Sequence, residues 1–186
     1  MRRSVLVILL CLATLPGVAT AQQHQHAYAG FQTRAIKALS DQQVADLRAG
    51  RGMGLALAAE LNGFPGPLHV LELAHELGLS AVQRARMEAS VAAMKAETAP
   101  IGERLIAQEA ELDRLFASRK IDHASLASAT RAIGSSQAEL RAAHLKYHLS
   151  TAESLTPEQT SLYGRLRGYA GAAGPHERPG GHGARP

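Results

Sequence analysis

From Met87 onward, mostly apolar side chains recur in alternating steps of four and three: Met87, Val91, Met94, Thr98, Ile101, Leu105, Gln108, Leu112 and Leu115. An α-helix places such positions on one continuous face, and the pattern predicts a helix of about 36 residues, roughly 54 Å long at 1.5 Å per residue. Pro100 lies inside it, and a bend is expected there because proline removes a ladder bond and crowds the preceding turn. A second stripe follows after a turn at 118–120 and a candidate N-cap at Asp122. It runs through Leu126, Thr130, Ile133, Gln137, Leu140, His144, Tyr147 and Thr151. Two long helices joined by a short turn form an antiparallel hairpin. The fold class is therefore all-α, with shorter helices flanking the hairpin.

Three phrases mark helix starts: Leu39-Ser40-Asp41-Gln42-Gln43, Leu79-Ser80-Ala81-Val82-Gln83 and Leu155-Thr156-Pro157-Glu158-Gln159. In each, a hydroxyl residue precedes Gln by three positions. This is a capping box, in which the hydroxyl accepts from the third helical N–H and the Gln side chain returns to the N–H of the cap. Pro157 reinforces the third start by presetting φ where no N–H is needed. A short helix is expected from Ser40 to Arg48, closed by Gly50. Leu55 to Leu61 is helix-compatible. Asn62-Gly63-Phe64-Pro65-Gly66-Pro67 breaks the chain, and another helix is expected from Pro67 to Gly78. The last helix is read from Thr156 to Tyr169, presenting Leu162, Leu166 and Tyr169.

Residues 1–21 read as a secretory signal peptide: Arg2 and Arg3 precede an apolar run, and Ala19-Thr20-Ala21 offers a cleavage site after Ala21. The expected location is the periplasm, with no membrane span once the signal is removed. Cys11, the only cysteine, lies in that segment, so the mature chain has neither disulfides nor thiolate ligands. Removing Arg2 and Arg3 takes the 20 basic residues to 18 against 16 acidic ones, a net charge of +2. So small an excess does not indicate nucleic acid. Residues 22–38, with His24 and His26, read as a flexible arm, 39–169 as the helical domain, and 170–186 as a disordered Gly/Pro-rich tail. There is no Trp and there are only 4 Tyr and 3 Phe, so the core must consist of thin aliphatic seams. Such a protein often completes its core by pairing with a second copy.

His144 and His148 stand four apart and can project from one helical face toward a shared ion. Upstream, His69, Glu72, His75 and Glu76 crowd the segment after the Pro-Gly-Pro break. Met87 and Met94 fall on the first stripe and are read as core packing. No catalytic constellation is present, and an enzyme is not expected. His75-Glu76-Leu77-Gly78-Leu79 has Leu where a zinc-protease helix needs its second His, and the serines lack a nucleophile elbow.

An exported helical chain with Leu-Ser-x-x-Gln opening its long helix and Leu-Thr-Pro-Glu-Gln opening its last resembles the Spy/CpxP family of periplasmic proteins. The family also includes zinc-resistance-associated proteins and heavy-metal sensor domains. The resemblance covers about Leu68 to Tyr169 and rests on Ser80, Gln83, Thr156 and Gln159, with Ser80 where Thr is usual. It implies a four-helix hairpin protein that pairs into a curved homodimer. The implied role is either ATP-independent chaperoning of unfolded or stressed envelope proteins or partnership with an inner-membrane sensor or regulator. The metal-linked branch instead implies binding of zinc, nickel, cobalt or copper. By position, His75 and His69, with Glu72 beside them, look like that branch's upstream ligands, and His144 with His148 like its downstream pair. No cofactor is otherwise required.

Overall fold

The computed structural model describes residues 28–169, and the signal peptide, His24, His26 and the tail from 170 lie outside them. Among the described residues all regular structure is helical: α1 (Asp41–Arg48), α2 (Leu57–Glu60), α3 (Pro67–Glu72), α4 (Ala81–Ala117), α5 (His123–Ala152) and α6 (Pro157–Leu166). All three Gln phrases close capping boxes. The backbone N–H of Gln43, Gln83 and Gln159 donates to its cap hydroxyl at 3.1, 3.2 and 3.2 Å. The return bonds to the Gln Oε1 atoms measure 2.8, 3.0 and 3.0 Å. Asp122 and Ser125 make a fourth box at the head of α5. α4 is unbroken across Pro100, because the long ladder on either side absorbs the loss of one bond. α3 is shorter than expected: it ends at Glu72 and the chain continues in turns to Gly78.

α4 and α5 pack antiparallel, as the pairing of Glu97 with Lys146 and Tyr147 and of Arg104 with Ser136 and Glu139 requires. Of the α4 stripe, Met87, Met94, Thr98, Ile101 and Leu105 are buried and Val91, Gln108, Leu112 and Leu115 are half-buried, so it faces inward as the spacing predicts. The α5 stripe is offset in its first half: Leu126, Thr130 and Gln137 are exposed, and the contact passes through Ile133, Ser136, Leu140 and Ala143. Small side chains let two helical backbones approach closely, whereas a Leu-to-Gln stripe would hold them apart. One core cluster joins Leu47 of α1 to Ile101, Leu105, Ile133 and Leu140. The other joins Val70, Leu77, Met87 and Tyr163. On α6 it is Tyr163 that is buried, while Leu166, expected to face inward, is exposed.

The Ser40 phrase belongs to the core. α1 lies so close to α4 that a Cβ on Gly102 would stand 2.4 Å from the carbonyl oxygen of Leu47. The end of the segment read as a flexible arm is docked, from Ile36 on, while residues 28–33 are exposed. Phe31–Thr33 forms a single 3-10 turn, Ile36 and Leu39 pack against the first cluster, and Lys37 pairs with Asp113 at 3.2 Å.

Two of the three phrases do more than cap. Gln83 Nε2 donates to Gln159 Oε1 at 2.8 Å and to the Ser154 carbonyl at 3.0 Å, and Gln159 Nε2 donates to the Leu77 carbonyl at 3.2 Å. Each glutamine thus caps its own helix start through Oε1, which also accepts from the other glutamine, and sends its amide hydrogens to the other start. The starts of α4 and α6 become one hydrogen-bonded unit. Glutamate in either position could cap but could not donate across the gap.

Candidate metal centre

Between the two clusters, α4 contributes Met94 and α5 contributes His144 and His148 to the wall of a cavity of about 240 Å³. The opposite wall comes from the loop before α2, from α2 itself and from the start of α3: Gly52, Met53, Leu57, Glu60, Gly66 and His69. The lining is predominantly apolar, so the few polar atoms in it govern what it can bind.

The two helical histidines are oriented alike. His144 Nδ1 lies 2.9 Å from the carbonyl oxygen of Leu140, and His148 Nδ1 lies 2.7 Å from that of Phe64. A carbonyl only accepts, so each Nδ1 carries a proton, and the neutral tautomer this selects has its lone pair on Nε2. His144 is 2 % exposed, and its Nε2 is buried with no hydrogen-bond partner. Leaving such an acceptor dry costs roughly 1–3 kcal/mol unless something fills it. Glycines keep the space beside these rings open. A Cβ on Gly52 would come 3.8 Å from His144 Nε2, and one on Gly66 would come 3.0 Å from His148 Nε2. An imidazole whose Nδ1–H is fixed by a carbonyl and whose Nε2 is bare is the arrangement a metal-ligating histidine takes.

Glu60, 5 % exposed, is the buried anion of the region. Its Oε2 accepts from Gly66 N–H at 3.1 Å, and its Oε1 accepts from the hydroxyls of Tyr163 and, at 3.3 Å, Tyr169. His69 Nδ1 lies 3.4 Å from Oε1, off-line for a hydrogen bond, and His148 Nδ1 lies 3.6 Å from Oε2. Burial works to raise the carboxyl pKa, but His69, the Tyr163 hydroxyl and the Gly66 N–H outweigh it and hold the group down to about 2. The same contact, after burial, pushes the Tyr163 phenol upward, so it stays a donor.

Of the residues singled out in the sequence, His144, His148 and His69 therefore meet at one cavity, with Glu60 touching both His69 and His148. Glu72 and His75 do not join them. Both are exposed, and Glu72 faces Arg167 at 3.5 Å. Met87 is core, as its spacing implies, whereas Met94 lines the cavity. Glu60 and Met53 were not singled out. Glu60 is the lone charge in the run Leu55-Ala56-Leu57-Ala58-Ala59-Glu60-Leu61, and a carboxylate in so apolar a context was the available signal. No group of three His, Cys, Asp or Glu side chains among the described residues is arranged to hold a metal. A metal here would need two imidazoles completed by other donors.

A protein-family model described as heavy-metal resistance matches residues 54–161, more than half of the 186 residues. That family includes the Spy/CpxP-like proteins with the Leu-Thr-x-x-Gln phrase. No curated protein and no solved structure matches the chain. No helix among the described residues is long and apolar enough to cross a membrane.

Proposed function

This chain belongs to the heavy-metal resistance family, and from that premise we propose that it is a periplasmic accessory protein that binds a transition-metal ion through Nε2 of His144 and His148. The observation that carries the reading is the buried, unpartnered Nε2 of His144, set four residues from a second imidazole of the same tautomer. Binding, not turnover, is the proposed role: the cavity offers ligands but no nucleophile with an adjacent base. Calorimetric titration of the mature protein with zinc, nickel, cobalt and copper tests it. The wild type should bind at least one of these ions at micromolar concentration or below, with a matching rise in Tm. The H144A/H148A double variant, checked for helicity, should lose both the heat and the Tm shift. Equal affinity in the two proteins would overturn the assignment.

A Spy/CpxP-type chaperone role is the second reading, favoured by one observation. Leu57, Leu61, Phe64 and Leu68 stand 40–58 % exposed within one short stretch of chain, and such a patch can hold apolar client segments without directional bonds. Wild-type protein should then slow thermal aggregation of a model client, and L61S/F64S should slow it several-fold less. No protection by the wild type would dispose of this role.

A further inference from the structure

We infer that the cavity selects a soft monovalent ion, Cu(I) or its redox-inert counterpart Ag(I), over divalent zinc, nickel and cobalt, with the thioethers of Met94 and Met53 completing the two-imidazole site. The inference rests on the metal-binding reading above and adds the class of ion.

Donor chemistry is the first argument. Besides His144 and His148, the side chains lining the cavity that carry a donor atom are Met53, Met94, His69 and Glu60. Both Glu60 oxygens are already committed, Oε2 to the Gly66 N–H and Oε1 to the Tyr163 and Tyr169 hydroxyls. To serve a divalent ion, the one carboxylate in the lining would have to be stripped from those donors, whereas the two thioether sulfurs are soft ligands that suit Cu(I).

Charge is the second. The cost of burying an ion rises with the square of its charge, so a divalent ion costs about four times as much as a monovalent one in the same medium. The cavity holds a single carboxylate, and Glu60 can neutralise one positive charge, not two.

The backbone supplies the third. Met53 has φ 43°, in the left-handed region, one of only two non-glycine residues so placed among the described residues. It sits between Gly52 and Gly54 at the cavity wall, and it is 43 % exposed. A long side chain held at a strained φ, without burial to explain it, is the kind of outlier that points to a working position.

The full mature chain is titrated anaerobically with Cu(I), by competition with a chromophoric chelator, and with Ag(I), Zn(II), Ni(II) and Co(II) in parallel. Wild type should bind one Cu(I) at least about 100-fold more tightly than any divalent ion. M94L and M53L conserve volume and should keep helicity and Tm. M94L should weaken Cu(I) at least about tenfold, M53L should weaken it as well, and each should weaken Cu(I) more than it weakens any divalent ion. Copper-edge X-ray absorption should show sulfur neighbours in the wild type and fewer in each variant. Tight divalent binding that depends on His144 and His148 but ignores both methionines would overturn the ion class and leave the metal-binding reading standing. Cu(I) binding unchanged in H144A/H148A would overturn both.

Discussion

Tyr163→Ala is expected to cost about 3–5 kcal/mol of stability, the range for deleting a buried aromatic side chain. Tyr163 is 2 % exposed and packs among Val70, Leu77 and Met87. Its ring stands edge-on to Tyr169 at 6.4 Å between centroids. The hydroxyl donates to the buried Glu60 carboxylate, so the Ala variant both opens a cavity and removes a donor from a buried charge. Tyr163→Phe separates the two effects. It keeps the ring and should cost about 1.5–3 kcal/mol, the worth of a hydrogen bond to a charged group. In that variant the Glu60 carboxyl loses one of the contacts that depress its pKa, which should move upward. Chemical denaturation followed by far-UV circular dichroism measures both losses, and NMR titration of Glu60 measures the shift. Should Phe match the wild type, the hydroxyl would contribute nothing and the Glu60 network would be incidental to stability.

Gly102→Ala is the second large effect. In an isolated helix the change stabilises, because alanine loses less backbone entropy than glycine on folding. Here the new Cβ would meet the Leu47 carbonyl oxygen at 2.4 Å and its carbon at 2.9 Å. Both are backbone atoms of α1 that cannot rotate away. α1 must shift off α4, and the expected cost is about 2–3 kcal/mol, typical of an overpacked contact. Gly134 and Gly164 are helical glycines whose added Cβ would meet nothing within 4 Å. G134A and G164A should therefore gain about 0.5–1 kcal/mol. Opposite signs at Gly102 and at these two positions, read as Tm changes, are the expected result. A gain at Gly102 would mean that α1 is not held against α4.

How legible the site was follows from how far each interaction reaches along the chain. The pairing of His144 with His148 was visible because four residues is one helical turn. His69 was visible as a histidine near a helix start, but not as sharing a cavity and Glu60 with His148, from which α4 and most of α5 separate it. Glu60 stayed hidden because its partners are Gly66, 6 residues away, and Tyr163, 103 residues away, and no spacing rule spans that distance. Met94 was read as core because its spacing is that of a core residue. The cavity exists because glycines at 52 and 66 leave room beside the imidazoles, and that is a property of the packed chain alone.

The sequence by itself determined where α1, α4, α5 and α6 begin and that two of them are long. A capping box is complete within four residues, and an apolar stripe is read by a single helix, so both are settled before any tertiary contact forms. Tertiary structure alone decided which face of α5 meets α4, because close approach favours small side chains over the larger ones of the apparent stripe. It decided that Tyr163 rather than Leu166 is buried, and that Gln83 and Gln159 bind each other as well as their own helices. It also decided that two imidazoles keep their Nε2 lone pairs in an apolar hollow. The carbonyls that fix their tautomers come from Leu140, one turn away, and from Phe64, 84 residues distant, and only the second of these required the folded chain.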